Sequence, residues 1–237
     1  MQHIVISFAR HSKSDTQKLI YLLRSIEKFI KDDIKLTIVG SSVEGLLKKG
    51  MVEHINIIPP FCDSIYERHS KNICYIVNNI RECFVVLNGT IFVKELKKSN
   101  FSQIAIFRNP HTDISKSYSS RYEYTVNDLK QKKMFKFSTL PLVFFPYNFS
   151  LIEKYRWKYP ELYSEMVVFP VVYSNLVPNS SRAEFKKESF IIKPVDTFVQ
   201  VDKISKNTRA IFITNKLDIA YKVKLDKMFP EKSRWEI

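Results

Sequence analysis

The chain of 237 residues is 45% hydrophobic, enough for a full core, and single α/β domains reach this size, so one elaborated domain is expected. No run of about 18 uncharged apolar residues occurs, which argues against a membrane-spanning helix. Lys and Arg outnumber Asp and Glu by 38 to 24, a formal charge of +14 that favours polyanions, and four glycines cannot build a GxGxxG or Walker-type phosphate loop.

The start, "MQHIVISFARHSKSD", meets a histidine, an arginine and a lysine too soon for a secretory signal, so it reads as a first strand of a cytoplasmic-type protein. That strand is His3 to Ala9. Ser14 or Asp15 caps the helix that follows, in which Leu19, Leu22, Leu23, Ile26, Phe29 and Ile30 recur at helical spacing. Ile34 to Gly40 is a second strand. A short helix over "VEGLLKKG" leads to a third strand, "VEHINIIP", closed by Pro59-Pro60. Asp63 to Ile80 is a second long helix, and Cys83 to Leu87 a buried fourth strand that ends at Asn88-Gly89-Thr90. Strand, helix, strand, strand, helix, strand is the order of an α/β sandwich with a mostly parallel sheet.

Beyond residue 100, "SQIAIFR" reads as a short strand, Asn109 to Thr125 as a polar loop and "VNDLKQKK" as helical. "TLPLVFFP" is apolar and bracketed by Pro141 and Pro146, which suits a strand at a domain edge better than a central one. "NFSLIEKYRWKYP" reads as a helix and Leu176 to Ser189 as a loop. A strand from Ala210 to Thr214 precedes a last helix that runs to about Met228.

Cys62, Cys74 and Cys83 are odd in number and form no CxxC pair, so neither a zinc site nor a disulfide framework is expected. Cys74 and Cys83 fall among apolar residues and read as buried thiols. His69, on the same helix as Cys74, makes a poor base for a cysteine nucleophile. His111, Thr112 and Asp113 are catalytic residue types, but no motif ties a nucleophile to them. Arg10, His11, Ser12 and Lys13 stand between the first strand and a helix N-terminus, a place that favours phosphate; the alternative is an ordinary basic loop. Arg68, Lys71 and Asn72 recur at i, i+3 and i+4 and could line one face, with a solvated helix face as the alternative. Tyr155 to Tyr159 mixes aromatic and basic residues, a composition suited to sugar stacking, nucleic-acid contact or a protein interface, with core packing as the default. The basic residues are spread along the whole chain, and solubility accounts for them as well as nucleic acid does.

The pieces "YLLRSIEK", "LTIVGSS", "INIIPPF", "IYERHSKNICYIVNNI", "CFVVLNGTIFVKE", "TLPLVFFPYNFSLIEKY" and "KMFPEKSRWE", in that order, resemble capsule-type glycosyltransferases of bacteria and their phages. The resemblance spans nearly the whole chain, and it implies that the face of Arg68, Lys71 and Asn72 lies near the donor nucleotide as a phosphate or uracil contact. It implies a GT-A-like (nucleotide-diphospho-sugar transferase-like) sandwich in one domain, residues 1–108 forming the nucleotide-binding-type half and 109–237 an acceptor-type, mixed half. In that family the fourth strand ends in acids that hold a divalent metal against the donor diphosphate. Here Asn88 matches, but Gly89 and Thr90 stand where acids are expected, and Ser138 stands where the family carries a histidine. The resemblance therefore implies a degenerate site without metal: a protein that acts by binding, as a structural or adaptor component of a phage particle, in the host cytoplasm or the virion, with protein partners. The alternative is an active, metal-independent enzyme that takes a nucleotide-sugar. Arg10, Lys13, Arg68 and Lys71 would then supply the cations, and Asp113, Glu123 or Asp128 a base. A weaker alternative is a basic nucleic-acid-associated protein.

Overall fold

The computed structural model of the chain describes residues 1–57, 65–80, 83–96, 106–107, 127, 131, 144–146, 191–195, 208–213 and 217–237. In chain order these form β1 (Gln2–Phe8), α1 (Lys13–Phe29), β2 (Ile34–Gly40), β3 (Glu53–Asn56), α2 (Ile65–Asn79), β4 (Phe84–Leu87), β5 (Thr90–Phe92), β6 (Ile106–Phe107), β7 (Phe144–Pro146), β8 (Ile191–Val195), β9 (Thr208–Ile213) and α3 (Ile219–Met228). Residues 127 and 131 are also helical. Ser138, the loop at 109–125, the helix expected at 148–160, Tyr155 to Tyr159 and the loop at 176–189 lie outside the described residues.

The first sheet has the order β3-β2-β1-β4-β7. β3, β2, β1 and β4 are parallel, and β7 joins the β4 edge antiparallel, with Pro146 opposite Phe84. A proline at that edge removes no bond from the sheet interior. Side chains alternate across the sheet. Ile4, Ile6, Phe8, Leu36, Ile38, Phe84 and Val86 share one core with Leu19, Leu22, Leu23 and Ile26 of α1. Val5, Val39 and Val85 are equally buried but fall outside that cluster, as do Ile73 and Ile76 of α2. The two helices thus cover opposite faces, which is why β1 is apolar at nearly every position.

α1 begins where the Asp15 carboxylate accepts the Ser12 N–H at 2.8 Å. It ends at Ile30, whose backbone is extended and whose N–H still reaches Ile26 O at 2.9 Å. Leu22 has no exposed surface, and truncation of such a residue to alanine costs about 2–5 kcal/mol.

A second sheet, of order β5-β9-β8-β6, was not evident from the sequence. β5 pairs antiparallel with β9, while β9, β8 and β6 are parallel. Its Ile91, Phe92, Ala210, Ile211 and Ile213 complete the same core from the far side of α1. Phe92 N–H donates to Ser25 Oγ at 3.1 Å, and Ser25 Oγ in turn donates to Leu22 O at 2.7 Å. Strands from both halves of the chain enter both sheets.

One expected element is absent. Val43 to Gly50 forms a turn and a bridge rather than a short helix. Its backbone is bonded to the C-terminal segment instead: Lys48 N–H donates to Trp235 O at 2.9 Å and Ile237 N–H to Leu46 O at 3.3 Å. Among the described residues no helix is long and apolar enough to cross a membrane.

Candidate functional site at the carboxyl edge of the parallel sheet

From β1 the chain moves outward to β2 and β3, then crosses back to β4 on the other side of β1. The carboxyl ends of β1 and β4 therefore lie side by side where the strand order reverses, the place at which open α/β sheets bind ligands. Ser7, Phe8 and Asn88 stand at this edge and are buried, and Asn88 N–H donates to Ser7 O at 3.0 Å. α1 starts from this edge on one face of the sheet, and α2 overlies the other face.

Ser7 is the polar residue within the apolar run of β1 and has no exposed surface. Asn72 Nδ2 donates to Ser7 Oγ at 3.1 Å and to Phe8 O at 3.2 Å. Ser7 Oγ lies 2.8 Å from His69 Nδ1. Oγ accepts from Asn72, and its second lone pair and its own proton allow either tautomer of His69 at Nδ1. Burial pushes the His69 pKa down to about 4; the nearby Asp15 carboxylate opposes that and Lys18 adds to it. His69 is therefore neutral near pH 7. A serine beside a neutral imidazole has the elements of a nucleophile and its base. Ser7 is wholly enclosed, however, and the pair ties α2 to β1.

At the head of α1, Asp15 Oδ2 accepts from His11 N at 3.0 Å, Ser12 N at 2.8 Å and Ser12 Oγ at 3.0 Å. Its Oδ1 lies 3.7 Å from Lys18 Nζ, and both side chains are buried. Burial lowers the Lys18 pKa, and Asp15 partly restores it. The carboxylate thus takes the backbone N–H groups that a phosphate at residues 10–13 would use. Arg10, His11 and Lys13 are exposed around it. Arg68 Nη1 donates to Arg10 O at 2.7 Å, so the structure brings the loop after β1 and the start of α2 together. Lys71 is half-buried. Asn72 departs from both readings of that helix face, because it is buried against β1.

At the end of β4 every residue is committed to the fold. Asn88 Nδ2 donates to Asp15 O at 3.1 Å, and its Oδ1 is buried without a partner among the described residues. Gly89 turns the chain from the first sheet into the second with φ +102; a β-carbon there would stand 3.1 Å from the Phe212 ring and 3.3 Å from Ile213 O. Gly89 O accepts from Ile213 N at 3.0 Å. Thr90 is fully buried as the first residue of β5, opposite Phe212. Mg and Mn take several oxygen ligands, carboxylates among them. One neutral amide oxygen and a threonine enclosed in a second sheet do not fit such an ion, and the neighbouring Asp15 is already engaged.

Cys83 is buried, and that burial pushes its thiol pKa up to about 12, consistent with a packing role.

The chain matches no family model, and no curated protein matches its sequence.

Sequence reasoning overlooked Ser7, Asp15 and His69 as a cluster. Two signals were present: a lone serine inside an apolar strand, and a histidine three residues before Asn72 on one helix face. The third, Asp15, carried only its capping position.

Proposed function

We propose that the chain is a catalytically degenerate, glycosyltransferase-like protein that acts by binding, as a structural or adaptor component of the kind a phage particle carries. One observation carries this reading. At the end of β4, Asn88 is spent on the backbone of α1, Gly89 on a left-handed turn against Phe212, and Thr90 on the second sheet. An acid at 89 or 90 would be desolvated against Phe212, which costs several kcal/mol for an unpaired charge. Asn88, Gly89 and Thr90 thus leave no room there for a carboxylate, which supports the degenerate reading.

Calorimetry with UDP- and GDP-sugars, with and without Mn, tests the reading. It expects the same heat in both conditions and no sugar release. Metal-enhanced affinity together with turnover overturns it. The second reading, a metal-independent transferase, draws on the gathering of Arg10 and Arg68 at the same sheet edge. Turnover of a nucleotide-sugar in the presence of chelator would favour it.

A further inference from the structure

We draw no further inference here: the strongest candidate, the apolar surface patch of Ile219 and Val223 on the outer face of α3, stands 82% and 50% exposed, and nothing in the structure shows what covers it.

Discussion

The carboxamide of Asn72 occupies the space that a β-carbon on Gly40 would need. Such a carbon would also collide with the carbonyl oxygen of Phe8, and Gly40 holds φ +130, where L side chains are strained. The end of β2, the end of β1 and α2 therefore meet at a point that admits only glycine. Gly40→Ala should destabilise the protein by about 2–4 kcal/mol, read from urea melts at unchanged m. Combined with Asn72→Ala it should cost less than the sum of the two single losses, because the two changes share a contact. A loss below about 1 kcal/mol would mean that α2 can lift from the sheet at little expense.

Putting an acid back at the end of β4 should fail. Gly89→Asp places a side chain at positive φ against Phe212 and buries a carboxylate there. A loss of more than about 3 kcal/mol is expected, with no Mn binding in calorimetry. A stable variant that binds Mn would show that the turn tolerates the ion site its sequence lacks.

His69 makes the protein less stable towards acid. Its pKa is about 4 when folded, against 6.5 for an ordinary imidazole. Above pH 6.5 the ring is neutral in both states and contributes no slope. As pH falls from 6.5 to about 4, only the unfolded chain takes up the proton, so stability drops; below about 4 the slope from this group ends. The full effect is at most about 3 kcal/mol. His3 is also lowered by burial and slopes the same way, so the difference between wild type and His69→Gln isolates His69. Urea melts from pH 7.5 to 4 should show a shallower decline in the variant; parallel curves would refute the enclosed imidazole.

The two ion pairs of the C-terminal segment should differ in worth. Arg24 and Glu236 keep 16% and 5% of their side-chain surface, Arg234 and Glu27 57% and 32%. Burial opposes the charge on Glu236, but the bonds from Arg24 and Ser233 outweigh it and leave the pKa lowered. A double-mutant cycle should give about 1–3 kcal/mol of coupling for Arg24–Glu236 and under about 1 kcal/mol for Arg234–Glu27. In 1 M salt the second should vanish and the first largely persist. Equal couplings would place the first pair in water.

The first half of the fold was legible because its signals are local. Ile34 to Gly40 is β2 to the residue, and the spacing of Leu19, Leu22, Leu23 and Ile26 located the buried face of α1. The edge position of "TLPLVFFP" followed from its prolines, and β7 lies there. The second sheet was hidden because its strands are short and its pairings distant: Thr90 meets Phe212, and Ile191 meets Ile106. β8 also carries Pro194, a residue that weakens the strand signal at 191–195. Val43 to Gly50 read as a helix because pattern alone cannot show that Leu47 bridges to Glu236. The candidate site was half legible. Sequence singled out Arg10 to Lys13 and Arg68, and the structure joins Arg68 to Arg10, whereas the link between Ser7 and His69 spans 62 residues and leaves no trace in spacing.

The bonds between α1 and residues 217–237 also bear on how the protein is made. α1 leaves the ribosome about 200 residues ahead of the partners of Ser14, Tyr21, Arg24 and Lys28. Nascent β1, α1 and β2 must therefore wait, incompletely covered, until that segment emerges. Emerging polypeptide of this kind is a natural client for holding chaperones.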